Sequence, residues 1–413
     1  MDIQNRLLPA APGRHGVVPS GGVVDTNGLI SRPPGNLVLP TLGRGRLFIK
    51  NIPRQFFTRA QGRRLHPTSL PTSAIFFAVA LVWLGVGMAA SPSYGRTGPD
   101  AVPQNVRAAI ARGLHWLAKN QNADGSFRAA QQDKPASTAV VVMAFLARGY
   151  MPQLGPYHHV IDRGINWILS LQQPDGYIAP PGGTMYDHGI STVMLTEAYG
   201  LCDGNLRIRV GKAIGKAIQL ILRAQKRTQG VFAGGWRYQP GEADADISCT
   251  GWQLMALRGA ADSGADIPAS AIRDGIAFVL RDACPNGGFS YQPHGPPGRA
   301  RTGTGIVALE LLGKRDMPQA LSGGDYLLAH PLVPNEQFYF YAVYYCSQAA
   351  NQLGGRYWRV IYPHIRNQLL RIQNPAGFWT PFGIEAQGQK SYATGMAILG
   401  LCVPFHYLPL YQR

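Results

Sequence analysis

Residues 112–127 read RGLHWLAKNQNADGSF, and residues 163–178 read RGINWILSLQQPDGYI. Arg-Gly, Trp, Gln and Asp-Gly recur in register, 51 residues apart. Self-similarity at such a period marks a repeat architecture. Weaker copies run from Lys216 through Gln225 to GGWRY (234–238), over DGIAFVLRDACPNGGFSY (274–291), and over HIRNQLLRIQNPAGFW (364–379). A degenerate copy includes GGDYLLAHPL (323–332). Each is followed by a second apolar run: STAVVVMAFLARG from 137, STVMLTEAYGL from 191, TGWQLMALRGA from 250, TGTGIVALELLG from 302, FYFYAVYYCSQAANQL from 338 and SYATGMAILGL from 391.

The unit is therefore helix, Gly-rich turn, helix, used about six times at roughly 40–58 residues. The first helix of each pair is amphipathic, with a polar outer face. The second is apolar nearly all round and must be buried. Pairs alternating in this way can close into a ring with the buried helices inside, or stack as an open solenoid.

The repeat resembles the prenyltransferase and squalene oxidase repeat, whose motif pairs a helix-end Gln with a Gly-aromatic turn. Gln121 with Asp124, Gly125 and Phe127 fits it, as do Gln172 with Asp175, Gly176 and Tyr177, and Gln373 with Gly377, Phe378 and Trp379. The resemblance covers residues 104–405. It implies an all-α fold, an (α/α)6 toroid of six inner and six outer helices with a cavity at the ring centre. It also implies that Gln121, Gln172, Gln373, Trp236 and Trp379 tie the repeats together rather than act in chemistry.

The same resemblance names functions whose signatures can be checked. Thioester domains carry GCGEQ, which is absent. Protein prenyltransferases carry a zinc-binding D-x-C before a Trp-Gln helix. Here Asp246, Ile247, Ser248 precede Trp252 and Gln253, so Ser stands where the Cys ligand belongs. A hydroxyl is a poor Zn²⁺ ligand beside a thiolate, and residues 299–305, RARTGTG, lack the expected His. No metal and no cofactor is expected. Squalene and hopene cyclases carry DxDD, whose central acid must hold a proton to donate it. The sequence offers DADI, with Asp244 and Asp246 in place and Ile247 as the third member.

Asp246 before an apolar run is also a good helix N-cap. Asp187 and His188 in MYDHGIST stand at the same point of the second repeat, either as ligand contacts or as a capping Asp beside a loop His. Phe338, Tyr339, Phe340, Tyr341, Tyr344 and Tyr345 form the most aromatic run. Aromatic faces attract cations, so Tyr341, Tyr345 and Trp252 join the candidate ligand-contacting residues, with core packing as their other reading. Glu197 and Glu310 are buried-helix acids.

The chain has 413 residues, 46% of them hydrophobic, and a net charge of +17. About +8 of that excess falls in residues 1–90, which hold ten Arg and Lys against Asp2 and Asp25. With no Lys/Arg block or RNA-binding signature in the remainder, nucleic acid is not an expected partner. The five cysteines include no CxxC, so no disulfide framework is expected. Residues 1–72, rich in Pro, Gly and Arg, are expected to be disordered. Residues 73–91, SAIFFAVALVWLGVGMAAS, follow Arg63, Arg64 and His66 and read as a signal peptide or, failing cleavage, a membrane anchor. Either outcome exports residues 100–413, the expected folded domain, and the anchor would bring membrane association through 74–90.

Two functions follow. One is an enzyme transforming an isoprenoid or polycyclic lipid, with Asp246 and Asp244 as its acids. The other is a non-catalytic exported toroid that binds a protein or ligand. A deep, dry central cavity favours the first, and a centre plugged by side chains favours the second.

Overall fold

The computed structural model describes residues 102–127, 135–314, 316–382 and 390–412. The segments 1–72 and 73–91 lie outside the described residues. Within them the chain forms twelve helices: α1 Gln104–Lys119, α2 Pro135–Ala147, α3 His158–Ser170, α4 Met185–Tyr199, α5 Gly204–Ala224, α6 Ile247–Asp262, α7 Ala269–Arg281, α8 Arg299–Leu311, α9 Pro318–Ala329, α10 Tyr339–Leu353, α11 Gly355–Ile372 and α12 Lys390–Cys402. Among the described residues β-structure is limited to isolated bridges, such as Gln172 with Ile178. None of these helices is long and apolar enough to cross a membrane.

The two helix classes behave as their sequences demand. Every residue of α2 is buried, α4 and α10 expose almost nothing, and α6 is exposed only towards its C-terminus, at Arg258, Ala261 and Asp262. The odd-numbered helices bury one face: α1 buries Val106, Ala109, Ile110, Gly113, Leu114 and Leu117, the spacing of a single helical stripe. The apolar helices contact one another in the order α2, α4, α6, α8, α10, α12, and α12 returns to α2. Six inner helices thus close a ring, with the amphipathic helices packed outside it. At the seam α1 meets α11 and α12.

One joint is reused around this ring. The Nε2 of Gln121 donates to the carbonyl of Gly125 at 2.9 Å and to that of Val160 in the next outer helix at 2.9 Å. Gln172 does the same with Gly176 (3.2 Å) and Ala213 (2.9 Å). Gln225 bonds Gly234 (2.9 Å) and Ala271 (2.8 Å). Gln373 bonds Gly377 and, across the seam, Ala109, both at 2.8 Å. That last pair ties the final repeat to the first.

The turn glycine completes each joint. Gly125, Gly176, Gly234 and Gly377 all have positive φ. A Cβ on any of them would sit 2.0–2.6 Å from a carbonyl oxygen of the next outer helix. Two residues past the glycine, a backbone N–H reaches back to the inner helix of its own repeat. Phe127, Trp236, Phe289 and Trp379 donate to the hydroxyls of Thr138, Thr250, Thr302 and Thr394 at 2.9–3.0 Å. In the second repeat Ile178 donates to Nδ1 of His188 at 3.0 Å.

Three inner helices begin three or more residues upstream of the Ser, Thr or Gly at which the sequence places them. α4 starts at Met185 rather than 191, α6 at Ile247 rather than 250, and α8 at Arg299 rather than 302. For α4 and α6 the reason is an upstream cap. Thr184 and Asp187 form a capping box on α4, and the Asp246 carboxylate caps α6. His188, read as a loop residue, therefore lies in the first turn of α4.

The far end of the ring is closed by the chain terminus. Two 3₁₀ turns, Val403–Phe405 and Pro409–Tyr411, pack beneath the inner helices. The N–H of Leu410 donates to Oε1 of Glu197 at 3.0 Å, and the hydroxyls of Tyr411 and Tyr344 meet at 2.5 Å. Oε2 of Glu197 has no partner and the residue is 2% exposed. Burial pushes its carboxyl up to about 8, against the pull of the Leu410 N–H. The folded chain therefore holds this proton more tightly than the unfolded chain does, so Glu197 lowers stability as pH rises from about 4.5 to about 8 and has no further effect above that. Glu197→Gln is expected to flatten this dependence and to gain on the order of 3 kcal/mol at pH 7. Urea unfolding at pH 5 and pH 8 checks it; a variant with the parent's slope would show that Glu197 ionises freely.

Candidate functional site

The candidate residues fall into two layers at the inner-helix N-termini. In the upper layer, Asp246 is fully buried and caps α6: its Oδ1 accepts from the N–H groups of Ser248 and Cys249, both at 2.9 Å. Its Oδ2 accepts from Arg237 Nη1 at 2.9 Å. The same guanidinium donates to the Tyr291 hydroxyl at 2.6 Å, and its Nε lies 3.2 Å from Asp244 and 3.6 Å from Glu242. It stacks over the rings of Tyr238 and Tyr291 at 4.9 and 5.5 Å. Tyr291 in turn donates to the Tyr238 hydroxyl at 3.1 Å. Gln292 Nε2 binds Asp244 at 2.9 Å. Asp244 is thus drawn into the cluster.

Arg237 is the hub, and the sequence reading missed it. The available signal is its place directly after the turn aromatic Trp236 and just before GEADAD, where one cation faces three nearby acids. Burial works against its charge, but Tyr291, Asp246 and Asp244 hold the guanidinium protonated well above its ordinary range. Burial pushes the Asp246 carboxyl up, while the Cys249 N–H and Arg237 pull it back. Every contact Asp246 makes is with a donor, which suits an ionised acceptor. A further buried acid was also missed: Asp282, at the end of α7, has both oxygens unpartnered. Burial, then the Asp246 charge, pushes its carboxyl up to about 9.

Asp187 and His188 are engaged in the fold. Asp187 accepts from the Thr184 hydroxyl at 2.7 Å and from the N–H of Ala136 on the neighbouring inner helix at 3.3 Å. His188 occupies the place that Thr138, Thr250, Thr302 and Thr394 hold in other repeats. Its Nδ1 accepts from Ile178, which leaves Nε2 to donate to the carbonyl of Ala217 at 3.3 Å. Burial lowers its pKa to about 4, so the ring is neutral at physiological pH.

The lower layer runs along the ring axis. Tyr186 of α4 and Tyr341 of α10, from opposite sides of the ring, have centroids 6.4 Å apart. The Tyr186 and Tyr392 hydroxyls are 3.2 Å apart, and that of Tyr341 meets Thr304 at 2.7 Å. Below them Trp252 stacks on Tyr344 at 5.7 Å and meets Tyr345 edge-on at 5.3 Å. Trp252, Tyr344 and Tyr345 are each at most 1% exposed, and Tyr411 closes the column from beneath. The central cavity that the repeat resemblance implies is occupied by these rings. A hollow of about 460 Å³ lies instead on the outside, between the 285–287 turn and α9. The space between the ring base and the C-terminal segment is about 10 Å³, room for one water.

No family profile and no curated protein matches the chain. Solved structures do. An α-1,6-mannanase of Salegentibacter sp. HEL1_6 superimposes with a TM-score of 0.56 at 11% identity, over 72% of this chain and 99% of the other. The chain is an α/α toroid. Lower-scoring similarities are a type II terpene cyclase of Scytonema (TM-score 0.48, 14% identity, 73% and 98% covered) and a protein geranylgeranyltransferase-I of Candida albicans (0.43, 12%, 71% and 90%). At these identities the likeness to the toroids is one of fold.

Proposed function

We propose that this toroid is a binding scaffold acting outside the cytoplasm, and that the mouth of the ring, around Arg237, Tyr238, Tyr291, Tyr186 and Tyr392, is the face it offers to a protein or ligand. The filled axis carries this reading. Carbocation chemistry needs a dry chamber that folds a long apolar substrate against an acid, and here Trp252, Tyr341, Tyr344 and Tyr345 take up that space. Asp246 supports it too: its oxygens are spent on two helix N–H groups and a guanidinium, which leaves no proton poised for an alkene. Incubated with squalene or with geranylgeranyl diphosphate, the purified protein is expected to return each unchanged. A cyclised or transferred product, lost in Asp246→Asn, would overturn the proposal.

Export rests on the apolar run at 73–91 and its basic flank. A fusion of residues 60–95 to a reporter active only in the periplasm is expected to give signal. A silent fusion in a competent host would count against export.

A further inference from the structure

We infer that the outward side of α5, with the adjoining 151–155 loop, is a docking face for an anionic lipid surface. The inference goes beyond the proposed binding role and does not depend on it. At 21 residues α5 is the longest of the described helices, about 30 Å from end to end. It carries no acid, and its solvent side is a line of cations. Arg209, Lys212, Lys216 and Arg223, with Arg227 just beyond the helix, are all exposed and recur every three, four or seven residues. Periodicity of this kind is invisible as a charge block in the sequence, because apolar core residues separate the cations.

The bordering acids leave most of the stripe unneutralised. Asp203 stands at the N-cap position, without a side-chain capping bond. At the other end Arg227 lies 3.9 Å from Asp274, and Arg223 donates to the backbone carbonyl of Asp175 at 2.9 Å. Among the described residues, Arg209, Lys212 and Lys216 have no carboxylate partner.

A second observation selects the kind of polyanion. Ile208, in line with Lys212 and Lys216, is 59% exposed. The 151–155 loop adds Leu154, 64% exposed, and Met151, 36% exposed. Their loop is fastened to this corner by Gln153, whose Oε1 accepts from the Asp203 N–H at 2.8 Å. Isolated exposed aliphatics are ordinary, but three at one end of a helix that itself carries a basic stripe and no acid form an amphipathic face, with Asp203 and Asp162 as the acids at that corner. Cations of this kind are drawn to acidic headgroups, and aliphatic side chains gain by sinking among acyl chains. A nucleic acid would satisfy the cations alone, and the stripe presents no exposed aromatic ring on which a base could stack.

The apolar segment at 74–90 could bind vesicles by itself, so the test must read α5 directly. In the full chain, Ile208→Cys with Cys284→Ser gives one exposed thiol, since the other four cysteines are buried. That thiol is labelled with an environment-sensitive fluorophore. Vesicles of phosphatidylcholine with about one-third phosphatidylserine are expected to shift the emission to the blue and raise it several-fold. Pure phosphatidylcholine should leave it unchanged, and Lys212→Glu with Lys216→Glu should weaken the response at least tenfold. High salt should do the same, because the attraction is screened. The inference fails if anionic vesicles leave the probe unchanged, if neutral vesicles shift it equally, if the charge reversals have no effect, or if a single-stranded oligonucleotide without lipid reproduces the response.

Discussion

Gly234→Ala is expected to abolish cooperative folding or to lower its melting temperature more than any other single change in the ring. The glycine has φ +85°, and an added Cβ would lie 2.0 Å from the carbonyl oxygen of Asp274 and 2.5 Å from its carbon. That obstacle is helix backbone, so no side chain can swing aside. Relief would require α7 to move outward, which breaks the bond from Gln225 to Ala271 and opens the contact between Gly275 and Leu254. Left-handed backbone alone costs an alanine about 1–2 kcal/mol; the lost joint should bring the total to about 4 kcal/mol or more. Gly313→Ala is the control, because Gly313 has φ +74° and open space around it. Thermal melts by circular dichroism should place Gly313→Ala a few degrees below the parent and Gly234→Ala far lower. Equal melts would mean that the turn does not lean on the next helix.

Arg237→Met is expected to be the most damaging change at the mouth, at about 3–5 kcal/mol. Asp244 and Glu242, each 37% exposed at the side chain, can turn to water, but Asp246 is sealed and would be left without its cation. Deprived of Arg237, its carboxyl would favour the neutral form when folded, so the variant should gain stability as pH falls toward the unfolded carboxyl range. Asp246→Asn keeps the cap, because Asn caps about as well as Asp. The double variant Arg237→Met with Asp246→Asn should then recover most of the loss. Urea unfolding of the two single variants and the double decides it. Purely additive losses would show that the pair is not coupled.

The repeat made the fold legible. Gln121, Gln172 and Gln373 with their glycines identified joints that the structure displays bond for bond, and the contrast between amphipathic and apolar helices separated outside from inside. The helix starts were less legible, because Thr184 and Asp246 cap upstream of the Ser and Thr residues that looked like openings. Those Thr residues belong instead to the turn-to-helix bonds. His188 drew notice as a chemical residue because a lone His stands out, whereas its alignment with Thr138 and Thr250 emerges only once the helices are in register. Arg237 escaped notice because its partners are gathered by a loop and by Tyr291 of the next repeat. By sequence the aromatic run on α10 suits both cavity lining and packing. What decides between them is how closely the inner helices approach, as at Gly251 and Gly303, where a Cβ would lie 2.4 Å from Thr304 and 2.9 Å from the Tyr345 backbone.

The axis of this ring is filled by its own side chains. Native mass spectrometry of the purified full chain, with organic extraction of the same sample, tests it directly. The expected result is the mass of the polypeptide with no isoprenoid or polycyclic lipid retained after detergent exchange. One such lipid per chain, surviving exchange and displaced only on unfolding, would contradict it.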